Sequence, residues 1–255
     1  MTFLKRGVLG VALASTAAVL ASAPQAQAII NGQKATEGYP FMGSLQNPMS
    51  PRPDGHVCGV ALVHKEWVVT AKHCVDGRGA PGTMKVRLGS SRVDEGGELI
   101  GVERALWPSG HITEGDDIAL LKLKRPTVAQ PVRLAESPPK LFASVRILGW
   151  GLTGQEMIPA NWPKDLRELD TKRLDDKSCD DSGINHGKEL CIAAVNGRGA
   201  ANMDSGGPAL VKRADGIWSL AGITSGSGGT PGTHPTIYTN VAVKIPWIKS
   251  VLQGS

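Results

Sequence analysis

A serine hydroxyl inside an acidic, glycine-rich pentapeptide is the strongest chemical signal in this sequence. The run Asp204-Ser205-Gly206-Gly207-Pro208 suits neither a helix nor a strand, because two glycines and a proline interrupt both backbone geometries. It predicts a bent loop on which the Ser205 hydroxyl faces a substrate with little steric cover. A plain surface turn has a similar composition, so the pentapeptide indicates chemistry only if the chain supplies partners for the serine.

The first partner that a serine nucleophile needs is a base that takes its proton. His73 is the best candidate, because it follows the apolar segment 67–69 and precedes Cys74, which can fix the loop. The remaining histidines lie in polar or glycine-rich surroundings and are predicted at the surface: His56, His64, His111, His186 and His234.

The second partner is a carboxylate that orients the base, and Asp117 is the best candidate. It opens the apolar segment 117–121, where a buried acid needs a hydrogen-bonding partner. Its neighbour Asp116 would point to the other face of a strand and is predicted to be solvated. Ser205, His73 and Asp117 are together sufficient for nucleophilic catalysis.

Short apolar segments separated by turn residues predict the elements that carry these side chains. The chain has 32 Gly and 17 Pro, which separate the apolar segments. This arrangement favours an all-β chain of many short strands. A connector with four prolines at 125–139 separates two halves. Helical spacing is found at 245–252, and the segment Asp165–Cys179 is compatible with a short helix.

The first residues predict a secretory signal peptide at 1–28. Lys5 and Arg6 precede an apolar run at 8–20, and Ala26-Gln27-Ala28 is the small-x-small pattern of signal peptidase. A buried N-terminal helix is disfavoured, because no polar face interrupts the run. Since no second apolar stretch reaches spanning length, we expect a secreted, extracellular protein without a membrane anchor.

Charge and cysteine content narrow the function classes further. A formal net charge of +5 without a Lys/Arg run, together with 3 Phe and 2 Tyr, argues against nucleic-acid binding.

Four cysteines in an exported chain predict two disulfides with three possible connectivities. Pairing within each half, Cys58 with Cys74 and Cys179 with Cys191, is preferred. A zinc site is disfavoured because no C-x-x-C spacing occurs, so no metal or cofactor is expected.

Three segments together resemble the catalytic motifs of the chymotrypsin and trypsin family of serine proteases. They are 70–74, 117–120 and 204–208, in the family's order of His, Asp and Ser. The resemblance covers the whole mature chain through further matches: Ile29–Gly32, Gly149-Trp150-Gly151, Ser225 and Trp247-Ile248. It implies a peptidase domain at 29–255, with two six-stranded antiparallel Greek-key barrels at about 29–134 and 140–243 and a short C-terminal helix at about 244–253.

The resemblance also implies roles for single residues. His73 would be the base, Asp117 its orienting acid and Ser205 the nucleophile, while the backbone N–H groups of Met203 and Ser205 would form the oxyanion hole. In the family the carboxylate equivalent to Asp204 pairs with the α-ammonium group of the mature chain, here Ile29. Because Ala28 already completes the signal-peptidase site, we expect export itself to mature the protein without a zymogen stage.

Departures from the family pattern set the expected specificity. Gly199 stands at the pocket floor where trypsin-like members have aspartate, so no fixed charge awaits Lys or Arg. Thr236 should narrow the pocket, while Ser225 and Ser227 keep its wall small. We therefore expect small or medium uncharged side chains at the cleavage site.

Two further departures lie before the nucleophile. Ala201 replaces a cysteine, so one bridge of the family is missing. Met203 replaces the glycine of the oxyanion hole; either its Cβ is strained at positive φ and crowds the leaving-group side, or the side chain points harmlessly to solvent. Near the family's calcium loop, the acidic residues Asp94, Glu95 and Glu98 are predicted to form a solvated turn.

The resulting expectation is a secreted serine endopeptidase of bacterial type that forms an acyl-enzyme on polypeptide substrates. It would act as a monomer without a cofactor, with a protein inhibitor as a further partner and with neither nucleic acid nor membrane as partners. Two alternatives stay open: an esterase that uses the same triad, and an inactive homologue that serves as a binding module.

Overall fold

The computed structural model describes residue 2 and residues 28–254. The predicted signal segment at 1–28 therefore lies outside the described residues except for its second and last positions. The described chain begins with a single turn at Ala28–Asn31, in which Ile29 has non-helical dihedral angles (φ 47°, ψ 101°). No helix within these residues is long and apolar enough to cross a membrane.

β-Strands are the main secondary structure of the described residues, as the apolar segments separated by turn residues predict. In chain order they are β1 (Gln33–Lys34), β2 (Met42–Gln46), β3 (His56–His64), β4 (Trp67–Thr70), β5 (Lys85–Leu88), β6 (Glu98–Leu106), β7 (Ala119–Leu123), β8 (Arg133–Leu134), β9 (Ser144–Gly149), β10 (Arg167–Lys172), β11 (Glu189–Ile192), β12 (Pro208–Lys212), β13 (Trp218–Ser227) and β14 (Thr236–Asn240). Short 3-10 helices lie at Lys72–Cys74, Pro81–Thr83, Ile112–Glu114, Pro159–Asn161 and Asp176–Ser182.

The first half of the chain forms a closed antiparallel barrel with the strand order β2-β3-β4-β7-β6-β5. The barrel closes where β2 pairs with β5, at Gly43 opposite Leu88. Its strands β4 and β7 are almost continuously apolar, and their side chains fill the barrel with Trp67, Val69 and Leu120, each at most 1% exposed. This confirms the predicted six-stranded barrel in the first half.

The second half forms an eight-stranded sheet with the order β1-β10-β9-β12-β13-β14-β11, and β8 adds to β13 in parallel. Its six long strands run from β10 to β11. An isolated antiparallel bridge between Arg173 and Ile192 joins these two ends, so the six strands curl into a second barrel. The all-β prediction is thus confirmed for both halves.

The predicted C-terminal helix is present and spans Val241–Gln253. It begins three residues before the predicted residue 244, because Asn240 caps it: the Asn240 side-chain oxygen accepts a hydrogen bond from the Ala242 N–H at 3.1 Å. The fully buried Ile248 anchors the helix on the large apolar core, which contains residues of both barrels.

The helix suggested for Asp165–Cys179 is wrong. Residues Arg167–Lys172 form β10, which pairs along its whole length with β9, and a 3-10 helix follows at Asp176–Ser182. Leu169 lies opposite Ile147 in this pairing, and both side chains are buried. Packing of β10 against β9, which is distant in sequence, therefore decides the conformation of this segment over its local compatibility with a helix.

Both disulfides lie within one half of the chain, as preferred from the sequence. Cys58 bonds to Cys74 in the first barrel, and Cys179 bonds to Cys191 in the second. The other two connectivities are therefore excluded. The first disulfide ties β3 to the 3-10 turn that carries His73.

Candidate active site

His73 and Asp117 form a close hydrogen-bonded pair. The His73 Nδ1 atom lies 2.7 Å from Asp117 Oδ2, and the His73 backbone N–H donates to Asp117 Oδ1 at 3.0 Å. The Ser225 hydroxyl also donates to Oδ2 at 2.7 Å. Burial alone would raise the pKa of Asp117, but the hydrogen bonds and positive charge of His73 hold this pKa below its ordinary value. Asp117 is therefore kept ionised beside the imidazole.

Neighbouring strands and a contact between the barrels position this pair. The 3-10 turn with His73 follows β4, and Asp117 precedes β7, which pairs with β4 through Thr70 and Ala119. Thr239 in the second barrel donates its hydroxyl proton to the Asp117 carbonyl oxygen at 2.8 Å. The acid and the base therefore stand at the ends of adjacent strands, and the second barrel fixes the acid.

The loop around Ser205 is bent and packed against the first barrel. The Ser205 carbonyl oxygen accepts a hydrogen bond from the Gly59 N–H at 2.8 Å. Gly206 has a φ of +74°, and a Cβ there would collide with Gly59 O and Thr70 Oγ1. The glycine next to the serine is thus required by backbone conformation and by space.

Ser205 and His73 line the same cleft between the barrels. This cavity has a volume of about 590 Å³, and Met203 and Thr236 also line it. A neighbouring cavity of about 530 Å³ is bordered by His73, Asp117 and Ser225. The structure therefore brings the three predicted chemical residues to two adjoining parts of one cleft.

The predicted specificity residues lie beside this cleft. A Cβ at Gly199, the predicted pocket floor, would stand only 3.3 Å from the Gly232 Cα atom, so little room for a side chain exists at this position. Thr236 is 7% exposed and pairs through its backbone with Ser227, whose side chain is not described. Ser225 contributes its hydroxyl to Asp117, as described above.

Met203 adopts a left-handed backbone conformation with a φ of +73°. This geometry is costly for a residue with a Cβ, by about 1–3 kcal/mol. The Met203 carbonyl oxygen lies 3.1 Å from Nε2 of His56, whose side chain is fully buried. The prediction that His56 lies at the surface is therefore wrong.

His56 is held as a neutral imidazole behind the nucleophile loop. Burial, followed by the charge of Arg52, lowers the pKa of His56 to about 3. A carbonyl oxygen can only accept, so Nε2 carries the proton and Nδ1 accepts from the Ser44 hydroxyl at 2.7 Å. The chain Ser44–His56–Met203 thus fixes the strained peptide.

Asp204 is a second buried carboxylate, 2% exposed. Its oxygens accept hydrogen bonds from the backbone N–H groups of Gly151 and Ala201, both at 2.8 Å. Burial nevertheless raises the pKa of Asp204 to about 7. Ile29 is fully buried in the core of the second barrel, and the next residue, Ile30, forms an antiparallel bridge with Gly199.

Sequence reasoning missed the buried cation Arg52 as well as His56. Arg52 is 2% exposed, and its guanidinium donates to the carbonyl oxygens of Trp150 at 2.7 Å and Pro163 at 2.8 Å and pairs with Asp54 at 2.8 Å. The local sequence gives no signal for this role, because both carbonyl acceptors are about a hundred residues away in the chain. Arg52 thereby supports the segment that leads to Gly151.

The remaining polar predictions have mixed outcomes. The other four histidines that were predicted at the surface are exposed: His64, His111, His186 and His234. The acidic turn contains its own cations, since Asp94 pairs with Arg92 and Lys164, each at 3.1 Å. Asp116 is only half-buried, but it forms a close ion pair with Lys244 and is not simply solvated.

Comparisons with known proteins agree on one family. The model of the trypsin family matches residues 29–248. A protein named trypsin from Sarcophaga bullata is 32% identical over 234 residues, which covers 87% of this chain and 87% of the relative. Proproteinase E from Bos taurus is 33% identical over 253 residues, which covers 89% of this chain and 96% of the relative.

Proposed function

The chain belongs to the trypsin family of serine endopeptidases, and we propose that it hydrolyses peptide bonds through an acyl-enzyme formed on Ser205. The observation that carries this proposal is the His73–Asp117 pair, with Nδ1 and Oδ2 at 2.7 Å, beside the cleft that His73 shares with Ser205. The hydrogen bond to Asp117 leaves the Nε2 side of the imidazole as the base.

In the first step, Nε2 of His73 takes the proton of the Ser205 hydroxyl while Oγ bonds to the scissile carbonyl carbon. The carbonyl electron pair moves to its oxygen, which accepts hydrogen bonds from the N–H groups of Met203 and Ser205. When this intermediate collapses, the C–N bond breaks and His73 gives its proton to the leaving amine. Water repeats the sequence on the acyl-enzyme and releases the acid.

A fluorophosphonate probe tests this role of Ser205. We expect covalent labelling of the protein that begins at Ile29 and no labelling of Ser205→Ala. Hydrolysis of peptides, measured in parallel with simple esters, separates an endopeptidase from an esterase. An unlabelled wild-type protein with native circular dichroism would contradict the enzyme assignment and support a binding module.

The proposed specificity is for small or medium uncharged side chains. A cationic side chain would find no aspartate at Gly199, and the closeness of Gly232 limits the depth of the floor. Thr236 narrows the cavity from its own side, and we assign Ser225 and Ser227 to the opposite wall. In a peptide library, Thr236→Gly should shift cleavage towards larger side chains. Wild-type cleavage after Lys or Arg would overturn this assignment.

We also propose that export matures the enzyme by freeing the amine of Ile29 for Asp204. A buried carboxylate without a cation is costly, and an ammonium ion would remove that cost. N-terminal sequencing of the secreted protein should return Ile29-Ile30-Asn31-Gly32; a start upstream of Ile29 would overturn it. The same preparation should run as a monomer in size-exclusion chromatography and should bind protein inhibitors of the family.

A further inference from the structure

A groove opens in the second barrel where two neighbouring strands separate. Pairing between β9 and β12 is confined to Ile147–Ala209 and Arg146–Leu210, although both strands continue for two more residues, to Ser144 and Lys212. A cavity of about 780 Å³ lies at this divergence. None of its lining residues, within the described chain, also lines the two cavities beside His73.

The groove combines an apolar lining with a cationic rim. Its apolar surface comes from Leu134 and the pair Pro138-Pro139 on one side and from Val145 and Val211 on the other. Prolines present rigid apolar surface without a backbone N–H, which suits contact with an extended chain.

The charge of the rim is positive. The lining cations are Lys140, Arg146, Lys212 and Arg213, and the lining carboxylates are Glu136 and Asp170. Arg146 is committed to Asp170 through contacts of 2.6 and 2.7 Å, so this pair contributes no net charge. Arg213 likewise pairs with Asp215, at 3.3 Å. Two cations outside these pairs, Lys140 and Lys212, therefore face the single carboxylate of Glu136, and this excess of positive charge attracts an anionic ligand.

Two further side chains mark the groove as incomplete. Ser219 lines the groove and is 2% exposed, and its buried hydroxyl has no hydrogen-bond partner within the described structure. Buried hydroxyls are nearly always satisfied, so this one leaves the groove wall with an unpaired polar group in the described structure. Next to it, Lys212 Nζ lies 4.9 Å from the centre of the Trp218 ring, on the rim of the groove.

We propose that this groove is a docking site for an extended acidic segment of a partner polypeptide. Carboxylates of the segment lie against Lys140 and Lys212, and its apolar side chains rest on the prolines and valines. Because the groove lies apart from the cleft, it holds a protein substrate without occupying the bond-breaking site. Only this last statement rests on the proposed endopeptidase function; binding itself does not.

A sulfated polysaccharide is the other anionic macromolecule that the rim could attract. The apolar lining favours a polypeptide, because a sulfated sugar offers no hydrocarbon side chains to cover Leu134, Val145 and Val211. The polysaccharide is therefore an outcome that the experiment must distinguish.

Binding is measured by fluorescence anisotropy with a labelled decapeptide of alternating glutamate and leucine. The protein carries Ser205→Ala, so that the peptide is not cleaved and the result does not depend on catalysis. We expect Lys140→Glu and Lys212→Glu each to weaken binding about fivefold at low salt, the size expected for a rim charge. Lys85→Glu is the matched control, because Lys85 is an exposed lysine of β5 in the other barrel, and it should change binding less than twofold.

Several results would overturn the proposal. Equal loss in all three variants would mean that only net charge matters, and equal binding of a lysine–leucine decapeptide would exclude charge selection. Tighter binding of a heparin-type oligosaccharide with the same dependence on Lys140 and Lys212 would assign the groove to polysaccharides. In the active protein, Lys212→Glu should raise KM for a protein substrate with an acidic segment and leave a short peptide substrate unchanged.

Discussion

The carboxylates of Asp117 and Asp204 are equally buried, at 2% exposed, yet their pKa values move in opposite directions. Asp117 receives two hydrogen bonds from His73 and one from Ser225, and the imidazole offers it a cationic partner. Within the described residues, Asp204 receives hydrogen bonds from the backbone N–H groups of Gly151 and Ala201, and burial raises its pKa to about 7. The hydrogen bonds and charge of His73, with the Ser225 hydroxyl, outweigh the burial of Asp117, whereas two backbone hydrogen bonds and the charge of Arg52 do not outweigh the burial of Asp204.

The candidate active site thus consists of two halves with different electrostatics. The acid–base half, on the first barrel, finds all its partners within the folded chain. The half around Met203 and Asp204, on the second barrel, contains a residue with a strained backbone and a carboxyl group whose pKa is raised by burial. The first half thus has its partners in the folded chain, whereas the proposed pairing with the amine of Ile29 would complete the second.

Removing the charge of Asp117 should have the largest effect. In Asp117→Asn the amide cannot hold the imidazole in its productive tautomer, so kcat should fall about 10⁴-fold with the fold intact. Steady-state kinetics on a peptide substrate measures this. Asp116→Asn is the matched control, because it breaks only the ion pair with Lys244; a comparable loss there would contradict the special role of Asp117.

Blocking the N-terminus should reveal how much the buried carboxylate of Asp204 destabilises the folded state. We compare a protein that begins at Ile29 with one that carries two extra residues before it. In the extended form the folded pKa of about 7 exceeds the unfolded value of 3.8, so the folded state binds more protons and stability falls as pH rises between these values. The loss amounts to at most about 4 kcal/mol, at about 1.4 kcal/mol per pKa unit.

Urea unfolding of both forms between pH 4 and pH 8 tests this, with kcat/KM measured alongside. The form that begins at Ile29 should show no such decline, because an ammonium ion lowers the pKa of Asp204. Asp204→Asn in the extended form should remove the pH dependence. A flat profile in the unmodified extended form would show that Asp204 is neutralised by other means.

Met203 and His56 should be coupled by a smaller free energy. Met203→Gly relieves the positive φ and should stabilise the fold by about 1 kcal/mol. His56→Phe leaves the Met203 carbonyl oxygen without its donor and should cost about 1–3 kcal/mol and reduce kcat. In the Met203→Gly background the kcat loss should shrink, since no strained peptide then needs holding. Strictly additive effects in this double-mutant cycle would contradict the coupling.

The acidic turn near Asp94 should give the smallest effect. Unlike Asp204, Asp94 has cations from its own chain, and although burial raises its pKa, Lys164 and Arg92 lower it overall. Arg92→Ala should therefore cost at most about 1 kcal/mol, because the pair is partly exposed. Thermal unfolding with and without a chelator should coincide; a clear loss on chelation would indicate a metal that the turn holds.

The sequence predicted those parts of the molecule whose signals are local. Ser205 is marked by its own glycines, His73 by a strand and a cysteine, and the disulfides by their spacing within each half. His56 escaped because its partners Ser44 and Met203 are 12 and 147 residues away, so nothing beside it indicates burial. Residues Arg167–Lys172 were misjudged for the same reason, since β9 decides their conformation.

The nucleophile loop contacts the first barrel through the His56 side chain and, next to Ser205 itself, through backbone atoms. The Gly59 N–H donates to the Ser205 carbonyl oxygen, and a Cβ at Gly59 would stand 2.6 Å from the Gly207 Cα atom. No side chain lies between these backbone atoms. The distance between Ser205 and His73 therefore depends on how closely the two barrels pack. The rate of catalysis therefore reports how well the two barrels are packed together. We expect activity to be lost when the barrels separate, before either barrel unfolds.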